Sequence, residues 1–420
     1  MAVTQQSLSS EECAAIEERF ASTSILGRYV NPFPEWREQG VWEFIVWKGL
    51  YFATHFRFNA DGGIKKSSQE RIMSRLQTTQ PNWAKHRGPN TKKRGVNKGN
   101  KGAAAGSGSE PDSWDELSES ELRASKAGPQ RSLKPSQSDL AYTWIGQSTF
   151  LLTLSSHLTI LTDPVFGVQP IPSLFSPTRL NTTLPATLED ILSHTHIDVV
   201  VVSHNHFDHF DARVVPLLGE DTKWVVPKGM GRLLLACAAK APRENIFELD
   251  WWQEVKIPTG GDGEDKKSDV VLQARALPAM HWTARTGLDT NQSLWCSYSL
   301  ELRSATTSLS PHLFFSGDTG YSPSLYRSIG AHSGPFDVAF LPIGSYSPRW
   351  HMRPQHVSPE DSVEIAKDIR AKKAVGMHWG TWIMSDEQWE EPVQRLEGLV
   401  KGSQWFETTG LGETRVWRAQ

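Results

Sequence analysis

From residue 139 onward the chain alternates short apolar runs with turn residues and helix-like stretches. LAYTWIGQSTFLLTL and HLTILTDPVF read as paired β-strands. Ile197 to Val202, IDVVVV, is a continuous β-branched run of the kind found in a strand buried on both faces, and it leads directly into SHNHFDHFD. A polar cluster therefore stands at a strand end. Asp211 is placed to cap a helix through ARVVPLLGE, followed by strand-like TKWVVP and helical GMGRLLLACAAK. VVLQARALPA, SLWCSYSLEL, HLFFSGD, DVAFLPIG and KAVGMHWG give further strands, and SPEDSVEIAKDIRA reads as a helix. This alternation predicts an α/β fold of two sheets covered by helices, with one domain over residues 139–420.

Upstream the pattern changes twice. Residues 85–138 carry a basic run, a Gly/Ala/Ser tract and an acidic patch with few aliphatic positions, which predicts a disordered polar insertion. Its basic part, Lys92, Lys93, Arg94, Lys98 and Lys101, reads as a solvated stretch or as a contact for anionic lipid headgroups. Residues 1–84 form an N-terminal extension. Within it Val41 to Phe58 is aromatic-rich but interrupted by Glu43 and Lys48, so it falls short of a spanning helix. It either lies in a membrane interface or packs on the domain that follows. The first twenty residues lack a basic run followed by an apolar core and do not read as a secretory signal.

A formal net charge of -3 argues against a nucleic-acid partner held mainly through phosphates. The three cysteines, Cys13, Cys237 and Cys296, are far apart, so neither a disulfide framework nor a thiolate metal site is expected, and a reducing compartment fits best.

His204, His206, Asp208 and His209 fall within the six residues HNHFDH. Three imidazoles gathered around one carboxylate at the end of an apolar strand would repel one another if all were protonated, and gain only when metallated. Such ligands suit zinc, with iron and manganese as alternatives. One loop cannot close two metal shells, so further ligands must arrive from other strand ends. His281 after ARALPAM, Asp318 in FFSGDTGY and His378 in AVGMHWG are the candidates, although each alone also reads as an ordinary core residue.

The ordered set HNHFDH, His281, GDTGY and MHWGT resembles the metallo-β-lactamase superfamily. Within it, LTDPVF, VSHNHFDH, FELDWW, MHWTART, LWCSYS, FFSGDTGY, GPFDVAFLPIGSYSPRW, QHVSPEDS and MHWGTW are similar to the N-acylphosphatidylethanolamine-hydrolysing phospholipase D family. The resemblance spans about Asp139 to Arg415, and more weakly GRYVNPFPEW upstream. It implies an αββα sandwich carrying two Zn2+ per chain. His204, His206 and His281 would hold one ion, Asp208, His209 and His378 the other, and Asp318 would bridge them as a catalytic residue. Asp163 in LTDP would support the ligands from behind. Gln355 and His356 would lie near the substrate phosphate, with His356 also catalytic. Phe207, where the family usually has tyrosine, and the long insertion before Asp139 depart from the pattern without removing a ligand.

The implied reaction is hydrolysis of N-acylphosphatidylethanolamine to N-acylethanolamine and phosphatidate, with a metal-bridged water acidified from about 16 toward about 7. The phospholipid implies a cytoplasmic protein peripherally associated with intracellular membranes, and the family also allows a homodimer. The alternatives are a hydrolase of the same fold acting on a lactone, thioester or other phosphodiester, and a non-catalytic scaffold, which predicts missing ligands.

Overall fold

The computed structural model describes residues 8–38, 40, 42–43, 45–47, 49, 76–86 and 139–418, less residues 156–157, 171–175, 182, 238–241, 260–269, 287 and 305–306. Most of the Val41 to Phe58 segment and nearly all of the 85–138 insertion lie outside the described residues. Of those described, no helix is long and apolar enough to cross a membrane.

A hairpin of β1 (Thr23–Ile25) and β2 (Arg28–Val30) precedes two large sheets. The first contains β3 (Leu140–Gly146), β4 (Thr149–Leu154), β5 (Leu158–Thr162), β6 (Val199–Val201), β7 (Lys223–Pro227), β8 (Ile246–Leu249) and, from the far end of the chain, β17 (Thr414–Trp417). Its order is β17-β3-β4-β5-β6-β7-β8, with β5 to β8 parallel. The second contains β9 (Glu254–Pro258), β10 (Val270–Leu277), β11 (Ser297–Ser304), β12 (Thr307–Ser308), β13 (Leu313–Phe315), β14 (Phe336–Pro342), β15 (Ala371–Met377) and β16 (Phe406–Thr408). It runs β16-β15-β14-β13-β11-β10-β9, with β12 paired to β11 and β13 to β16 parallel.

The sheets face each other across the larger core. Phe150 of β4 meets Phe340 of β14 with ring centroids 4.7 Å apart, and Tyr142 of β3 packs edge-on against the same ring. Burying each such side chain contributes about 1.5–3 kcal/mol relative to exposure. A second core fills the outer face of the first sheet, where Leu161, Val200 and Trp224 pack against Ile191, Val214 and Leu234. The outer side of the second sheet carries the helices Pro323–His332, Pro359–Asp368 and Glu391–Val400, which connect its parallel strands. The result is the αββα sandwich expected from the sequence.

Local chemistry explains one of these helices and a 3-10 turn beside the first sheet. Pro359–Asp368 begins with a capping box between Ser358 and Asp361 and has Pro359 in its first turn. Asp211 caps Ala212–Leu217, as its sequence position predicts, but the element is a 3-10 turn rather than a longer α-helix, because Pro216 removes a donor inside it.

The N-terminal extension is welded to the sandwich. Phe20, Phe33 and Leu76 are buried in the main core, and Asn31 Nδ2 donates to the His281 carbonyl at 2.8 Å. Composition places His86 inside the polar insertion, yet the ring is fully buried. Its Nδ1 lies 2.8 Å from Thr153 Oγ1 and its Nε2 2.8 Å from Thr143 Oγ1. Ordered chain thus extends past Lys85 because two strand threonines satisfy both ring nitrogens, one accepting and one donating. Burial pushes the His86 pKa down to about 4. The neutral ring therefore stabilises the fold above the unfolded value of about 6.5, and this contribution is lost between about 6.5 and 4, by about 3 kcal/mol. In urea melts, the stability gap between the wild-type chain and His86→Gln is expected to be widest at neutral pH and to shrink as the pH approaches 4; a gap that grows on acidification is the contrary result.

Candidate metal centre

In open α/β sheets, ligands bind beyond the carboxyl ends of the strands, and here both sheets deliver polar side chains to one such edge. Asp163 follows β5, His204 to His209 follow β6, His281 follows β10, Asp318 follows β13, and His378 follows β15. The turn between β3 and β4 adds Gln147. Gly317 permits a close approach of the two strand-end loops: its φ is 57°, and a Cβ there would sit 2.3 Å from Ser203 Cβ.

Among the described residues three groups of candidate ligand atoms result, the third, His281, Asp318 and His356, sharing a member with each of the other two. In the first, His204 Nε2 lies 2.9 Å from His206 Nδ1, which lies 3.2 Å from His281 Nε2. The second joins Asp208, His209, Asp318 and His378. Asp318 Oδ2 stands 3.0 Å from His209 Nε2 and 3.1 Å from His378 Nε2, while Asp208 Oδ2 stands 3.4 Å and 3.3 Å from the same two nitrogens. Asp318 Oδ2 also lies 3.9 Å from His281 Nε2, so this carboxylate faces both groups. All seven residues named from the sequence are brought together.

Partners behind the rings fix their orientation. The Asp163 carboxylate accepts from Ser203 N at 2.7 Å, from Ser203 Oγ at 2.6 Å and from His209 Nδ1 at 2.7 Å. Ser203 Oγ lies 2.9 Å from His204 Nδ1, and His281 Nδ1 donates to the Gln355 carbonyl at 2.9 Å. With Nδ1 engaged outward, His204, His209 and His281 direct Nε2 inward; the tautomer follows from the hydrogen-bond network.

The electrostatics suit a cation. Burial pushes His206 down to about 3 and His281 to about 4, and drives His204 well below its ordinary value, so these three rings offer neutral nitrogens. Burial also disfavours charge on Asp208 and Asp318, but His209 and His378 outweigh it and hold both carboxyls well below the usual range. Conversely, burial opposes charge on His378, yet Asp318 and Asp208 raise its pKa to about 9; Asp318 and Asp208 likewise raise His209. Two buried carboxylates demand positive charge, which protons supply when no ion is bound.

The orphaned atoms provide the fit test. His209 Nε2 and Asp318 Oδ1 are buried without a hydrogen-bond partner. Three ring nitrogens converge at His204, His206 and His281, where hydrogen atoms cannot satisfy every pair. The donor set of imidazole nitrogens and carboxylate oxygens fits metal ions of the zinc class.

The remaining expected residues border this cluster. His356 is 9% exposed, and its Nδ1 lies 3.8 Å from Asp318 Oδ2. Gln355 Oε1 accepts from Trp282 Nε1 at 2.5 Å, and the Trp282 ring meets His206 at 4.6 Å. Gln147 and Ser203 escaped the sequence reading. The only signal for Gln147 was a polar residue after Gly146 at the end of a buried strand; for Ser203, its place beside His204.

A beta-lactamase superfamily domain model matches residues 159–379. Over 415 residues the chain is 32% identical to the mitochondrial N-acyl-phosphatidylethanolamine-hydrolyzing phospholipase D of Saccharomyces cerevisiae, covering 95% of this chain and 79% of the yeast protein. It is 33% identical to N-acyl-phosphatidylethanolamine-hydrolyzing phospholipase D 1 of Caenorhabditis elegans over 294 residues, covering 68% of this chain and 77% of that one. A metal-dependent hydrolase of Pyrobaculum islandicum is 25% identical over 269 residues, covering 61% of this chain and 92% of that protein. With the αββα sandwich and the buried His/Asp cluster, these similarities identify the chain as a member of the N-acyl-phosphatidylethanolamine-hydrolysing phospholipase D family of the β-lactamase superfamily.

Proposed function

We propose that the chain is a zinc-dependent phospholipase D that hydrolyses N-acylphosphatidylethanolamine to N-acylethanolamine and phosphatidate. The observation that carries this reading is the similarity to two relatives bearing that activity in their names, one of them across 95% of this chain. His204, His206 and His281 would hold one ion and Asp208, His209 and His378 the other, with Asp318 between them. Bound there, two divalent ions supply Lewis acidity toward a phosphodiester and lower the pKa of water toward neutrality.

The chain's own residues set the geometry. Asp163, Ser203 and the Gln355 carbonyl hold the imidazoles in the tautomers that ligation requires. In the reaction a water oxygen bonds to phosphorus, the bond from phosphorus to the ethanolamine oxygen breaks, and the leaving oxygen takes up a proton. His356, at the edge of the cluster, is placed to give the phosphate or the leaving oxygen a hydrogen bond, with Gln355 beside it.

A lipid substrate brings the chain to a membrane surface. Trp47 anchors the helical residues around it by donating from Nε1 to Asp386 and by packing its ring 4.8 Å from that of His351. The same region exposes Trp42 and Ile45, and Trp350 is exposed beside His351, in the segment that leads to Gln355 and His356. Peripheral docking through these residues would set the site mouth against the lipid.

The test is mass spectrometry of products after incubating the zinc-loaded and metal-stripped chain with N-acylphosphatidylethanolamine liposomes, followed by sedimentation. Expected are N-acylethanolamine and phosphatidate from the loaded protein alone, and weaker sedimentation of a Trp42→Ser, Ile45→Ser, Trp350→Ser variant. Intact lipid with zinc bound would move the reading to another ester.

A further inference from the structure

Gln147 is 1% exposed and occupies the turn between β3 and β4. Its side-chain Nε2 donates to Asp208 Oδ2 at 2.8 Å and lies 2.8 Å from His378 Nε2, placing one amide between two candidate ligand atoms of the second group. Its backbone has φ 51°, the left-handed region that disfavours residues with a Cβ. The conformation is over-determined: Gln147 N donates to Thr381 Oγ1 at 2.6 Å, while its carbonyl accepts from Trp144 Nε1 at 2.9 Å and from His378 N at 3.0 Å. Glycine would meet every backbone requirement here with less strain. The glutamine side chain is therefore what the position adds, and it points at the metal ligands.

We propose that Gln147 is a positioning residue for the second metal ion, its amide N–H orienting the Asp208 carboxylate beside His378. An amide suits this task because it is uncharged. It donates to one carboxylate oxygen without competing for the cation as a lysine would, and without adding a negative charge. The turn couples the two ligands physically, since the same residue binds the His378 backbone through its carbonyl and the Asp208 side chain through its amide. The inference rests on reading the His/Asp cluster as a two-ion centre.

Two variants of the full chain separate side chain from backbone. Gln147→Gly deletes the amide and relieves the turn, and Gln147→Met keeps the length and volume but has no N–H. Zn2+ titrated into the metal-stripped proteins is followed by calorimetry, with bound metal counted by mass spectrometry and folding checked by the melting temperature before metal is added. In both variants the second equivalent is expected to bind at least about tenfold more weakly, with the first within about threefold of wild type and Gln147→Gly melting no lower than wild type. A purely structural role predicts the reverse: lower melting and intact metal affinity. If wild type takes up two equivalents and both variants retain the second within about threefold, the positioning role is overturned while the metal centre stands. If wild type takes up no Zn2+, the metal-centre reading fails, and this inference fails with it.

Discussion

Asp318→Asn is expected to reduce hydrolysis of N-acylphosphatidylethanolamine about a thousandfold or more while the chain still folds. The carboxylate lies between the two ligand groups, with Oδ2 near His209, His378, His281 and His356 and Oδ1 buried without a partner. Asparagine preserves the volume but removes the negative charge that both ions would share. Folding has no such dependence on this charge. Asp318 arrives on a loop set by β13 and by Gly317, and in the metal-free chain its charge mainly keeps protons on His209 and His378. Without it Asp208 still favours a proton on these rings, so ring charge falls along with the lost carboxylate and the buried cluster stays near balance rather than gaining an unpaired ion.

The expected signature is therefore specific. Metal-free Asp318→Asn should melt within a few degrees of metal-free wild type, bind less than the wild-type amount of Zn2+, and yield no N-acylethanolamine. His206→Asn should also abolish turnover, through loss of one of the three neutral nitrogens of the first group. Full activity in either variant, with wild-type metal content, would sink the two-ion reading.

How far this site was legible in the sequence depends on how local each residue's reason is. The HNHFDH loop is dense enough that only a metal explains it, and IDVVVV places it at a strand end. His281, Asp318 and His378 stand singly beside apolar runs. Nothing local separates them from satisfied core residues; their order along a resembling family joined them. Gln147 was illegible because a glutamine after a glycine looks like any turn, and its task depends on Asp208, 61 positions away. His86 was misplaced for the same reason: its partners are threonines 57 and 67 positions off, while its own neighbourhood reads as low-complexity polar chain. The closing strand β17, TRVW, is too short to show a period, yet pairing with β3 fixes its register. Pattern reads elements whose cause lies within the segment, and it misses those whose cause lies across the fold.

The second large effect is expected at Asp163, a residue that belongs to none of the candidate ligand groups but holds one of their rings from behind. Its carboxylate accepts three hydrogen bonds, two from Ser203 and one from His209 Nδ1. Burial alone would raise its pKa, and its partners only partly offset this. Asp163→Ala should cost about 1–3 kcal/mol for each buried donor left without a partner. Asp163→Asn is the more informative change. Whichever way the amide turns, its NH2 faces either the Ser203 N–H or His209 Nδ1, and both are donors. Relief comes when His209, charged in the metal-free chain, gives up its Nδ1 proton and keeps the one on Nε2, the nitrogen that faces Asp318 and would bind the ion. The variant should therefore fold but bind Zn2+ about 10- to 100-fold more weakly, with activity falling in parallel. Nitrogen-15 spectra of the histidine rings would show the loss of the Nδ1 proton directly in the metal-free protein. An Asp163→Asn chain with wild-type protonation at His209 and wild-type zinc affinity would mean that the carboxylate serves packing alone, and that the ligand rings are oriented by Ser203 and the Gln355 carbonyl without it.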